Sequence, residues 1–422
     1  MNIYRSSTLG ESFQTYAKVT INGVEISREN HIQVKIKQKL LTHNRFEILC
    51  PSEAFSEKNS YPLTHSQNLH YTYFSVHLIR FNETTAIFQG VITGVQHRVQ
   101  DGYPYIILKG QSATHLMDKN INCQTFVNKT LKEIVTAVTD KYKDNRLQVL
   151  ISPETTEVLP YTVCYNETDF QFLKRLAMRY GEYMYHNGEY LVFGKGNQIR
   201  TEISEGEDFQ EYSLDVISKP QHFIRQRYDL RNDKVIKEES NQLYYPDQKN
   251  LFHLKSVRAS EKYSIQPQSG YSAPDLFYGD AQQLERAVQR KKLSHESTIL
   301  ATAKTDNPHL RLGDTMQMNA WTKEKNKLQP IESYRITEIE HSFTEEGYTN
   351  HCEGIPFEQK IAPYLDENAY PHIDNQIAIV VDNNDPESLN RLKIRFYWQE
   401  EHESTLWVPL MQGHSGGDKE RM

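Results

Sequence analysis

The chain has 422 residues and a mass of 49.4 kDa, too much for one ordinary core, so two to four domains of roughly 100–200 residues each are expected. A formal charge of −7, from 48 basic and 55 acidic residues, excludes the strongly basic balance of a polyanion or membrane-surface binder. No stretch approaches the roughly 18 continuous apolar residues of a membrane helix, and the opening MNIYRSSTLG has no apolar signal region, so the chain is expected to start life in the cytoplasm.

Between Thr15 and His115, short aromatic and β-branched runs alternate with turns: YAKVTINGVEI, HIQVKIKQ, NLHYTYFSVHLIRFN, AIFQGVITGVQH and YPYIILKG. In HIQVKIKQ, Ile32, Val34 and Ile36 fall on one face and Gln33, Lys35 and Lys37 on the other, the period of a half-solvated strand. The character changes at NKTLKEIVTAVTDKYK. There Thr130 and Glu133 make a capping box, and Leu131, Ile134, Val135, Val138 and Tyr142 follow at helical spacing. A second helix is predicted in ETDFQFLKRLAMRYG, with Thr168 and Gln171 as its capping box, Phe170, Leu173, Ala177 and Tyr180 as its apolar face, and Gly181 as its stop. EYMYHNGEYLVFG then reads as a hairpin turning at His186, Asn187 and Gly188.

The acidic EISEGEDFQE reads as a solvated loop. Strands resume at QHFIRQRYDLRN, and a helix covers DAQQLERAVQRKK, with Leu284, Ala287, Val288 and Lys291 on a common side. LRLGDTMQMNAW and YRITEIEHSFT rebuild β-structure. The second of these repeats an earlier phrase: Ile-Thr-x-aliphatic-x-His occurs at Ile92–His97 (ITGVQH) and again at Ile336–His341 (ITEIEH). In the last segment Ile377, Ile379 and Val381 mark one strand, a loop follows at Asp382 to Pro386, Leu392, Ile394, Phe396 and Trp398 alternate along a second, and LWVPLM supplies a third.

Two of these stretches, YNETDFQFLKRLAMRYGEYMYH (Tyr165 to His186) and VVDNNDPESLNRLKIRFYW (Val380 to Trp398), resemble signature regions of the VgrG family, the spike proteins of type VI secretion systems and related contractile injection machines. The order of parts fits as well, with a second β-region closing in YTNHCEGIP before the Asp-Asn-x-Asp-Pro segment. The resemblance implies a mainly β (α+β) fold: a first hub-like β-barrel over residues 1–118, a small α+β insert over 119–218, a second hub-like barrel over 219–362, and the start of an OB-fold connector over 363–422. It implies that the repeated phrase marks the same strand in two barrels, and that a homotrimer presents six barrels to the hexameric ring of a tube protein (Hcp-like). Baseplate proteins, a tip (PAAR-like) protein and effector cargo would be the further partners. The chain departs from the family pattern at GHSGGDKERM, reached after about three of the five strands that an OB-fold needs.

Signals for other chemistry are weak. Cys50, Cys123, Cys164 and Cys352 are scattered without a C-x-x-C pair, which suits reduced thiols. HEST occurs at His295 and at His402, but the fifth positions are Ile299 and Leu406, so the second ligand of an H-E-x-x-H zinc motif is missing. Phosphate-binding and dinucleotide motifs do not occur, and the carboxylate pair Glu205 and Asp208 lies in the acidic loop without apolar surroundings. Lys393, Arg395 and Tyr397 form the kind of stripe that single-strand binders use, yet alternation produces such stripes on any solvated strand. No catalytic, cofactor or metal residue is therefore predicted. The expected role is that of a non-enzymatic hub and spike, assembled in the cytoplasm and delivered on firing, with no nucleic-acid partner. A phage or prophage baseplate hub, an envelope-degrading hydrolase and an OB-fold nucleic-acid binder remain as alternatives.

Overall fold

The structure is a computed structural model that describes residues 15–26, 32–55, 69–81, 83–145, 147–229, 232–240, 251–262, 268–271, 281–296, 298–322 and 327–410. The opening MNIYRSSTLG and the tail GHSGGDKERM fall outside them. A first β-unit runs β1 (Tyr16–Ile21), β2 (Val24–Glu25), β3 (Gln33–Lys39), β4 (Arg45–Pro51), β5 (Tyr73–Arg80), β6 (Glu83–Gln100) and β7 (Tyr103–Ser112). A 3-10 turn, Ala113–Asp118, leads into β8 (Ile121–Thr130), α1 (Leu131–Thr139), β9 (Gln148–Ser152), β10 (Val158–Thr168), α2 (Asp169–Tyr180), β11 (Met184–His186) and β12 (Tyr190–Gly194). The second β-unit comprises β13 (Arg200–Ser204) and β14 (Phe209–Val216), then, after β15 (Phe223–Asp229), β16 (Lys234–Glu239), α3 (Leu251–Glu261), β17 (Gln268–Tyr271) and α4 (Ala281–His295), the strands β18 (Ile299–Thr305), β19 (Thr315–Thr322), β20 (Lys327–Thr344) and β21 (Gly347–Pro356). The meander β22 (Ala378–Asp382), β23 (Arg391–Phe396) and β24 (Trp407–Pro409) follows.

Both predicted helix starts form as capping boxes. The Thr130 and Thr168 side chains accept from the backbone N–H groups of Glu133 and Gln171, whose own side chains accept from the cap backbone in return. Gly181 ends α2 at φ 70°, a left-handed position that other residues adopt only at a cost. Phe170, Leu173, Ala177 and Tyr180 are buried on α2, and Leu284 and Val288 on α4.

In EYMYHNGEYLVFG both faces of the hairpin carry apolar residues because it serves two cores. Met184, Leu191 and Phe193 enter the core of the α+β unit, while the alternate residues Tyr183, Tyr185 and Val192 enter that of the second β-unit. A third core fills the first β-unit with Val34, Ile36, Phe46, Phe74, Phe88 and their neighbours.

Several elements correct the sequence reading. The acidic EISEGEDFQE is not one solvated loop: it spans the end of β13, a turn at 205–208 and the start of β14, with Ile203 and Phe209 buried. The Asp208 carboxylate accepts from the Ser204 N–H and from the Asn307 amide, so part of the negative charge caps the turn. β15 forms where QHFIRQRYDLRN placed a strand, whereas helix α3 and the strands β16 and β17 that flank β15 in a side sheet were not anticipated. The two β-units share a single 13-stranded sheet, ordered β14-β18-β21-β20-β3-β4-β7-β6-β5-β1-β2 with β19 and β13 branching from β20. The seam between them is the pairing of β20 with β3.

In the last segment, Asp385 explains its loop. It accepts from the backbone of Leu389 and Arg391 and clasps the buried Arg391 guanidinium with both oxygens, at 2.8 Å from Nε and 2.5 Å from Nη2.

Candidate assembly site

The repeated phrase marks the same place in two copies of one hairpin. Ile92 of β6 pairs with Gly110 of β7, and Ile336 of β20 pairs with Gly354 of β21, so both hairpins span the same number of residues. In each, the register slips at the threonine after that isoleucine, Thr93 in one and Thr337 in the other, as a β-bulge. The surrounding strands correspond too: β5, β7 and β4 stand to β6 as β19, β21 and β18 stand to β20, and β3 corresponds to β14 at the outer edge.

Beyond the bulge the copies differ in what covers them. Residues Glu338–Phe343 of β20 pair with Lys39–Val34 of β3, and this buries the inward row Ile339 and His341. His341 Nε2 donates to Gln38 Oε1 at 3.2 Å, Nδ1 accepts from the Tyr348 hydroxyl at 2.7 Å, and Gln38 donates on to the Ile87 carbonyl at 3.1 Å. Burial holds the His341 imidazole neutral by lowering its pKa to about 3. On the outward face Lys35, Lys37 and Lys39 interleave with Glu338 and Glu340 at 2.6–3.1 Å.

The matching half of β6 has no such cover. From Gly94 to Gln100 it pairs only with β7 among the described residues. Its inward row, Val95, His97 and Val99, ends with Val99 72% exposed. At the far end of the sheet β14 pairs from Glu211 to Val216 only with β18 among the described residues, and its inward row leaves Tyr212 41% and Val216 56% exposed. The molecule thus carries one filled seam and the two open edges of a second.

The register says how those edges would meet. Ile36 faces Phe46, which faces Gly110; Leu214 faces Ala301, which faces Gly354. Leu214 is therefore the counterpart of Ile36. Since His341 faces Ile36 in the filled seam, His97 would face Leu214, and Val95 and Val99 would face Val216 and Tyr212. The apolar residues left exposed on the two edges are the ones this register brings together, the usual mark of edges meant to be paired.

The groups weighed from sequence fall elsewhere. Glu205 accepts from the Trp321 N–H, beside the turn that Asp208 caps. His295 closes α4 against the Pro220 carbonyl, and His402 lies exposed on a turn far along the chain. Arg395 donates to the Glu401 carbonyl beside other acidic residues, which weakens the basic stripe. Cys50, Cys164 and Cys352 are buried free thiols, and burial pushes the Cys50 and Cys164 thiols up to about 12. Sequence reading found the repeated phrase but missed the edge residues. The equal spacing from Ile92 to Gly110 and from Ile336 to Gly354 was the available signal.

A family profile described as phage tail baseplate hub (GPD) matches residues 66–347. Among solved structures the chain is similar to a tail protein from Neisseria meningitidis MC58, at TM-score 0.56 and 10% identity over 84% of this chain and 100% of that one. It is similar also to the c3393 protein of E. coli, at 0.55 and 14% over 94% of each; that protein is described as a component of the type VI secretion system with structural similarity to T4 bacteriophage tail proteins. A chain of the PdpA–VgrG complex from Francisella matches at 0.54 and 9%, over 99% of this chain and 76% of that one. At such identities these likenesses speak for the fold. No curated protein sequence matches.

Proposed function

Because the chain belongs to the phage tail baseplate hub (GPD) family, we propose that it is the trimeric hub of a contractile injection machine of the VgrG kind. Three chains close head to tail, the β6 edge of each pairing with the β14 edge of the next, so that six β-units form one ring. The observation that carries this reading is the filled β20–β3 seam, an internal template for a contact whose two halves are otherwise open among the described residues. Such heterologous contacts generate closed rings when the rotation per subunit fits.

The role is mechanical rather than enzymatic: the sheath supplies the free energy, and the ring transmits force to the spike. A hexameric Hcp-like tube is the partner below, with baseplate proteins around it and a PAAR-like tip or effector cargo above. Assembly takes place in the cytoplasm, and delivery follows firing. The family description and the likeness to tail proteins also support a phage or prophage hub built in the same way. Capsid genes beside this one would favour that setting.

The test uses the full chain carrying Val99→Cys and Tyr212→Cys together. Mild oxidation should yield covalent dimers and trimers on a denaturing gel, absent from either single variant, and light scattering of the unmodified chain should give three times 49.4 kDa. A trimer without the crosslink would overturn the β6–β14 register, and a monomer at every concentration would overturn the ring.

A further inference from the structure

Away from the strand edges, the fold gathers metal-ligating side chains from distant parts of the sequence. The β3–β4 turn carries His43, and the 3-10 turn after β7 carries His115 and Asp118. Side chains three apart eclipse in a 3-10 helix, so His115 and Asp118 leave it on the same side. The donor atoms of the three residues all lie within 4.8 Å of one another.

Their surroundings orient them. His43 Nε2 is 2.6 Å from Asp118 Oδ2, its Nδ1 is 2.8 Å from Thr114 Oγ1, and the His115 ring meets the His43 ring edge-on at 5.8 Å. The second Asp118 oxygen accepts from the Thr168 hydroxyl at 2.5 Å, and Phe170 lies against the face of His43 at 3.8 Å. A hydroxyl on the far ring nitrogen, a hydroxyl on the far carboxylate oxygen and an apolar wall are the outer supports that fix ligands around an ion.

Two imidazoles and one carboxylate suit zinc or a neighbouring divalent ion, whereas magnesium and calcium favour oxygen shells. A tetrahedral ion about 2.0–2.1 Å from each donor needs donors about 3.3 Å apart. The His43–Asp118 pair must then open slightly and His115 close in. We propose that His43, His115 and Asp118 bind one divalent transition-metal ion, zinc by their donor chemistry, tying the first β-unit to the start of α2. The tie runs through Asp118 to Thr168, the residue that caps that helix.

The test uses the full chain stripped with a chelator and titrated with zinc sulfate, in parallel with magnesium chloride. Calorimetry should find one zinc per chain and no comparable magnesium binding, and bound zinc should slow hydrogen exchange at the start of α2. His115→Ala removes a ligand while sparing the His43–Asp118 hydrogen bond, and should weaken zinc at least tenfold; Asp118→Asn provides a second variant, and His402→Ala should change nothing. No stoichiometric zinc in the parent chain, or equal binding by folded His115→Ala, would overturn the site. Neither result depends on ring assembly.

Discussion

At the scale of single residues, Glu332 works against its own fold. It is 2% exposed, and neither carboxylate oxygen has a hydrogen-bond partner. Burial first, and the nearby Glu358 charge second, raise its pKa from 4.5 to about 7. Between those values the folded chain holds a proton that the unfolded chain releases. The contribution therefore favours folding fully below pH 4.5 and is lost as the pH climbs through 7. Glu332→Gln is expected to stabilise the protein at pH 8 by up to about 3 kcal/mol and to gain almost nothing near pH 4. Thermal melts at both pH values test this, and an equal gain at each would refute the titration. Glu332 shares its side of β20 with Tyr334 and Ile336, both buried, so the period of the strand places it inward although its charge alone would place it in solvent.

At the scale of elements, the paired hairpins depend on glycine at the position facing the isoleucine, though not equally. A Cβ on Gly110 would lie 2.2 Å from both the Val91 carbonyl oxygen and the Phe46 ring, while one on Gly354 would sit 3.0 Å from the Arg335 carbonyl oxygen and Tyr334 Cβ. Gly110→Ala should cost about 3 kcal/mol and Gly354→Ala about 1 kcal/mol. Urea midpoints would rank them, and the reverse order would mean that the hairpins yield differently from the way they are built. Elements of this kind were legible where their cause is local: the capping boxes at Thr130 and Thr168, the stop at Gly181 and the alternation of β3 all follow from neighbouring residues. β13 and β14 were not, because their carboxylates make the run look solvated while Ile203 and Phe209 reach the core. Helix α3 was missed too, since LFHLKSVRASE shows little one-sided patterning.

At the scale of the whole molecule, the sequence announced a repeat, while the meaning of the repeat lay in pairing. Ile92 and Ile336 could be matched by eye. That β20 would be covered by β3, with no equivalent strand on β6 among the described residues, depends on contacts between residues hundreds of positions apart, which no local pattern encodes. The metal-ligating cluster was hidden too, because His43 lies more than seventy positions before His115 and Asp118, and only the pairing of β4 with β7 brings their turns together. If the open edges meet as proposed, Val99→Lys should place a charge in the seam and yield a folded monomer of 49.4 kDa by light scattering, with its thermal midpoint nearly that of the parent at the same low concentration. A persistent trimer would place the contact elsewhere.

In a ring built this way every second seam lies inside a single chain, where its two strands are tethered and no dilution can part them. Only the alternate seams obey mass action. A ring of six separate subunits must hold all its contacts against dilution, whereas this one risks half of them. When the ring fails it should therefore part between chains, releasing whole protomers with the β20–β3 seam still closed.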